Sequence, residues 1–90
     1  MPLTKTINLY KIESMKTYTY RTIIEPDEKG YHGFVPLLRG VHTVGKTLEE
    51  TKENLDEAIR CHIEGLLKDS IIPPEEKNTV EIIQTFTFNA

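Results

Sequence analysis

One stretch of this chain has a marked beginning, a continuous helical stripe and a marked end. Thr47-Leu48-Glu49-Glu50 reads as a capping box, in which the Thr47 hydroxyl accepts from the Glu50 amide and Glu50 reaches back. Leu48, Leu55, Ala58, Ile59, His62 and Leu66 then follow a helical stripe. The spacing predicts one helix from Leu48 to Lys68, with acidic residues in its first turn and Lys68 in its last, as the helix dipole favours. Gly65 inside it costs about 1 kcal/mol relative to Ala, and the expectation is that it permits close packing rather than marks a break. Ile71-Ile72-Pro73-Pro74 cannot continue the helix. A single helix with one apolar stripe needs a sheet to lie on.

The sheet is legible before and after it. Thr17 to Glu25 alternates, with Tyr18, Tyr20, Thr22 and Ile24 on one face, and is rich in β-branched and aromatic residues. Pro26-Asp27-Glu28-Lys29-Gly30 reads as a five-residue turn into a second strand, Tyr31–Val35, which Pro36 closes. The Leu37–Gly40 loop is expected to fold back onto the core before a third strand, Val41–Val44, which Gly45 ends. Val80–Phe88 reads as the last strand, with Val80, Ile82, Phe86 and Phe88 on one face. Ile7 to Ile12 can form an extra N-terminal strand. The expected architecture is α+β in two layers: a three-strand meander, one long helix on one face, and a last strand returning parallel to the first by a right-handed crossover. Residues 1–16 are an N-terminal arm or extra strand, and 17–90 the domain.

The chain has 90 residues, enough for one domain. No run of apolar residues exceeds two, whereas a membrane span needs about 20 and a secretory signal roughly 7–15. Cys61 has no internal partner, which points to the cytosol. Net charge is −3, against a dedicated nucleic-acid binder. The charge is uneven: residues 47–69 hold seven acidic groups against three basic ones, or −4. That face repels phosphates and attracts a basic partner. Glu49, Glu53 and Asp56 share one side of the helix and are the candidate partner-binding carboxylates. Tyr31 and Phe34 on the second strand are the candidate contact aromatics.

Catalytic readings do not hold together. His32, His42 and His62 have no metal-ligand spacing. Cys61 and His62 diverge by about 100° around the helix, which disfavours a nucleophile pair. No glycine-rich phosphate loop is present. The element order matches the start of a ribonuclease H-like fold. Two-metal chemistry there needs a carboxylate in the middle of the first strand, where Tyr20, Arg21 and Thr22 stand. No catalytic residue, metal or cofactor is expected.

Tyr18-Thr19-Tyr20, Gly30-Tyr31, Val35-Pro36, Leu38-Arg39-Gly40-Val41, Gly45-Lys46-Thr47-Leu48-Glu49-Glu50 and Glu57-Ala58-Ile59 together resemble the HicB-like antitoxin family. Gly30, Pro36, Gly40, Gly45, Thr47, Glu50 and Ala58 are the positions that carry its structural motif. The family often has Cys where Val41 stands and favours Ala where Thr51 stands. The resemblance implies a partial ribonuclease H-like fold without its active site. It implies neutralisation of a small basic RNA-cleaving toxin, HicA-like, by occlusion of the toxin's active surface. It also implies homo-dimers or tetramers. Many members carry a C-terminal DNA-binding domain; only seven residues follow Ile83, so no direct DNA binding is expected. The alternative reading is a stand-alone HicB-like domain that serves as a protein-interaction module without a toxin.

Overall fold

The computed structural model describes residues 15–89. The proposed N-terminal strand, Ile7 to Ile12, lies outside them. Strands β1 (Ile23–Asp27), β2 (Gly30–Phe34) and β3 (His42–Gly45) form an antiparallel meander in the order β1-β2-β3, followed by helix α1 (Leu48–Lys68). The α+β architecture of a meander and one covering helix is as the sequence pattern predicts.

The strand bounds differ from the expected ones. The first hairpin closes on two residues, Glu28 and Lys29, with Asp27 opposite Gly30, so Pro26 and Asp27 belong to the strand rather than to the turn. Pro26 is tolerated because β1 is an edge strand and its missing N–H leaves no inner ladder bond unmade. Asp27 Oδ1 accepts from the Lys29 amide at 2.9 Å and fixes the turn. Residues 17–22 are not strand. Ile23 pairs with Phe34, the last residue of β2, so nothing in β2 remains for them to pair with.

Beyond β2 the chain closes on itself. The Val35 amide donates to the Val41 carbonyl, Leu38 to Val35, and Val41 to Leu38. Gly40 supplies the left-handed φ of +81° this loop requires. The loop drops Leu38 into the core beside Val35, Val41 and Leu55, while Leu37 stays exposed.

Alternation places Gly33 and Ile24 on the sheet face toward the helix. A Cβ on Gly33 would stand 3.2 Å from Leu55 and 3.3 Å from Thr51, so the small residue lets α1 sit close. The helix begins as expected: Thr47 is the N-cap, and its hydroxyl accepts from the Glu50 amide at 3.0 Å. Glu50 reaches one residue further back than the capping box requires, accepting from the Lys46 amide at 2.9 Å. Leu55, Ala58 and Ile59 of the expected stripe pack on the core, joined by Ile63. Leu48 is largely exposed, and the place it was expected to fill is taken by Thr51, the most buried side chain at 0% exposure. Thr51 tolerates that burial because its hydroxyl donates to the Thr47 carbonyl at 2.8 Å. Gly65 does not mediate close packing, since a Cβ there would meet nothing within 4 Å. The helix simply runs through it.

The largest departure is the last strand. Val80–Phe88 is exposed throughout and has no strand partner among the described residues. After the Pro73-Pro74 linker the chain does return to the expected side, parallel to residues 16–21. Lys16 pairs with Glu75 at 3.2 Å, the Glu76 amide donates to the Thr19 carbonyl at 3.0 Å, and Arg21 pairs with Glu81 at 3.0 Å. Asn78, between these contacts, adopts the left-handed region, φ 57°, and beyond Glu81 the chain makes no strand pairing among the described residues. The fourth strand that a ribonuclease H-like order requires is therefore not assembled within the described residues. The radius of gyration is 18.6 Å and the long axis 73 Å, against about 11–12 Å expected for a compact chain of this length.

Candidate partner-binding surfaces

Three surfaces result. The first is the acidic face of α1. Glu49, Glu53 and Asp56 all project from the exposed side, as their spacing requires. Two are partly offset by cations on the same helix: Lys52 lies 3.7 Å from Glu49, and Arg60 donates to Asp56 at 2.8 Å. Glu53 has no ion pair among the described residues. Exposed pairs of this kind contribute little to stability, so these carboxylates remain available to an incoming charge.

The second surface is the sheet face turned away from the helix, carrying Ile23, Glu25, His32, Phe34 and Val44. Phe34 stacks on His32, with ring centroids 6.4 Å apart and planes 17° from parallel. The His32 ring lies between two carboxylates, with Nε2 3.1 Å from Glu25 and Nδ1 3.4 Å from Asp27. Asp27 is held below the usual carboxylate range, first by the Lys29 amide and then by His32. The other aromatic, Tyr31, lies on the opposite face of β2. It lines a cleft of about 340 Å³ with Lys46 and Glu50 at the start of α1. Tyr31 and Phe34 thus belong to different layers and do not form one patch, and Phe34 lies across the sheet from the acidic helix.

The motif residues take the following places in the fold. Gly30 has φ +147°, and a Cβ there would collide with the Gly45 carbonyl. Gly45 lies against Thr51 of the helix. Thr47 and Glu50 hold the helix start, Gly40 the loop, and Ala58 flanks the core; Pro36 lies exposed at the turn after β2.

The third surface was not foreseen as one. Val80 is 78% exposed, Ile83 89% and Phe88 81%, with Ile82 and Phe86 similarly bare. Burying such a side chain is worth about 1.5–3 kcal/mol, so five of them in water are a large unmet driving force. Near the base of this segment, an open cleft of about 400 Å³ runs between Tyr18 and Tyr20 on one side and Asp56, Ile59, Arg60, Ile63 and Glu64 on the other. The Tyr20 hydroxyl is buried there without a hydrogen-bond partner among the described residues. Burial, then the nearby Glu75 carboxylate, raises the pKa of the phenol. It is therefore a neutral donor with nothing to donate to.

Among the described residues no helix is long and apolar enough to cross a membrane, and no group of His, Cys, Asp and Glu is arranged to hold a metal ion. The exposed features are a charged helix, an aromatic sheet face and an apolar C-terminal segment. The model of the HicB-like antitoxins of bacterial toxin–antitoxin systems matches residues 20–89, and the chain belongs to that family. It is 40% identical over 60 residues to a UPF0150 protein of Synechocystis, covering 66% of this chain and 76% of that one. It is 41% identical over 58 residues to one of Helicobacter pylori, covering 64% and 81%. It is 45% identical over 64 residues to one of Thermoplasma acidophilum, covering 70% and 91%. No solved structure matches it. Membership supports an antitoxin role in a toxin–antitoxin system and, in general, a toxin partner.

Proposed function

We infer that this antitoxin neutralises a small, basic, RNA-cleaving toxin of the HicA-like kind by covering the surface that binds and cleaves RNA. The observation that carries the reading is the acidic face of α1. A toxin that grips phosphates must present cations, and a row of exposed carboxylates, two of them only partly offset, offers those cations an alternative to RNA. Glu49, Glu53 and Asp56 are placed at the rim of the helix, where charges act mainly on association rate and on its salt dependence. The same negative face disfavours DNA binding by the domain itself. A cytoplasmic site of action follows from the same reading, since that is where the RNA target lies.

The test uses the purified protein and the basic protein encoded beside it. The protein abolishes that partner's RNA cleavage at equimolar ratio. A Glu49→Lys, Glu53→Lys double variant slows association and flattens its dependence on salt, while it stays folded with a Tm lowered by no more than a few degrees. Persistent cleavage in the presence of the wild-type protein overturns the reading. Association rates equal to wild type at two salt concentrations remove the helix from it and move the contact to the sheet.

A further inference from the structure

We propose that residues 80–88 are an exchanged strand: in solution each copy lends this arm to the open edge of β1 in a second copy, giving a closed dimer in which both sheets have four strands. The proposal concerns this chain alone and does not depend on the identity of a toxin.

Four observations converge on a second copy as the occupant. The arm is built as a strand and has no strand partner among the described residues. Val80, Ile82, Phe86 and Phe88 share one face by their period of two, and the Phe86 and Phe88 rings lie 6.4 Å apart on it. The opposite face, Glu81, Ile83, Thr85 and Thr87, is more polar, as suits a strand with one side on a core and one toward solvent.

The acceptor is also present. β1 is an edge strand, bonded only to β2 among the described residues. The chain already runs parallel beside the residues that lead into β1, through Glu76 to Thr19 and Glu81 to Arg21, and leaves just before β1 begins. The stretch it abandons, Ile23–Asp27, is the stretch a second arm would occupy.

The layer match is the third point. A strand on that edge extends the sheet under the flank of α1, where Ile59, Ile63 and Tyr20 line the open cleft. The arm's apolar face supplies what that cleft lacks, beside the unpartnered Tyr20 hydroxyl. Finally, the symmetry closes. The donor and acceptor are the same two segments on each copy, so a two-fold exchange satisfies both at once and leaves no further arm or β1 edge free. The arm leaves its own chain only after Glu81, which still pairs with Arg21, so it runs free from the point at which β1 begins.

Sedimentation equilibrium on the full chain at ~50 µM shows a dimer, since an interface of this kind persists at that concentration. Thr85→Pro, which removes one arm N–H and is far from the sheet–helix body, weakens the dimer by ~100-fold or more while the helix signal in circular dichroism is retained. A second variant, Phe86→Ser, does the same without touching the backbone. In a mixture of carbon-13-labelled and unlabelled copies, filtered nuclear Overhauser spectra show Phe86 and Phe88 ring protons contacting Ile24, Ile59 or Ile63 methyls of the other copy. A monomer overturns the proposal, whether its arm is bare, is covered by its own N-terminal residues, or becomes covered only on adding a basic partner protein. So does a dimer indifferent to both variants, or one whose arm packs only within a single copy.

Discussion

Adding one methyl group at Gly45 and at Gly65 should change stability in opposite directions. Gly65 is in the last turns of α1, exposed, and a Cβ there meets nothing within 4 Å. Gly65→Ala therefore removes only the glycine penalty, a gain of about 0.5–1 kcal/mol. At Gly45 the added Cβ would stand 2.5 Å from Thr51 Oγ1, 2.8 Å from Thr51 N and 3.0 Å from Thr51 Cα. Two of these are backbone atoms of the first turns of α1 and cannot rotate aside. The helix must lift off β3, at the ~1–3 kcal/mol typical of overpacking. The buried bond from the Thr51 hydroxyl to the Thr47 carbonyl is put at risk, another ~0.5–1.5 kcal/mol. Reduced freedom of the unfolded chain returns only ~0.4–1 kcal/mol. The net loss is about 1–3 kcal/mol. At ~4–8 °C per kcal/mol for a domain this small, Gly65→Ala raises Tm by several degrees and Gly45→Ala lowers it by roughly 5–20 °C. Both are measured by urea and thermal unfolding at one fixed protein concentration, because assembly shifts apparent stability. Thr51→Ala in the Gly45→Ala background restores less than half of the loss, since it relieves the clash with the hydroxyl and leaves the helix backbone at residue 51 in the way. A neutral Gly45→Ala, or full recovery in the double variant, would refute the close approach of helix and sheet.

Leu55, 3% exposed and at the centre of the core, should cost about 2–5 kcal/mol as Leu55→Ala; a urea midpoint close to wild type would place the core elsewhere. Asp27 gives a pH signature: the Lys29 amide and then His32 hold its folded-state pKa below the ordinary value, so the stability it contributes is present above about pH 4 and is lost as pH falls through the folded pKa. Asp27→Asn should therefore lose less stability than wild type between pH 6 and pH 3, read as urea midpoints; equal losses would show that the turn carboxylate is not involved.

The parts of the fold that could be read from residue pattern are those set by local chemistry. Thr47 and Glu50 are sufficient to place the helix start, because capping involves only neighbours. Proline and glycine punctuation locates the strands within a few residues. The hairpin turn is misread because Pro26 suggests a strand end, whereas an edge strand tolerates it. Thr51 is absent from the apolar stripe for a similar reason. It is polar by type, yet its hydroxyl is satisfied within its own helix, and nothing in hydrophobic periodicity distinguishes a satisfied threonine from an exposed one. The reverse holds for Leu48, apolar and at a stripe position, but too close to the helix start to reach the core. The acidic helix face is legible for the same reason as the cap: positions 49, 53 and 56 fall on one side of any helix.

Val80–Phe88 marks where pattern reading stops, and for a different reason. Alternation states that these residues belong in a sheet with one face buried. It says nothing about which chain supplies that sheet. Within one copy, the chain runs beside Thr19 and Arg21 as far as Glu81 and then leaves, so the apolar face meets no core among the described residues. The same nine residues would read identically in a protein whose fourth strand closed on its own sheet. What separates the two cases is the course of the chain beyond Glu81, which residue pattern does not encode. The acidic helix face and residues 80–88 are both exposed, and the exchange proposed above would bury the second while leaving the first outside.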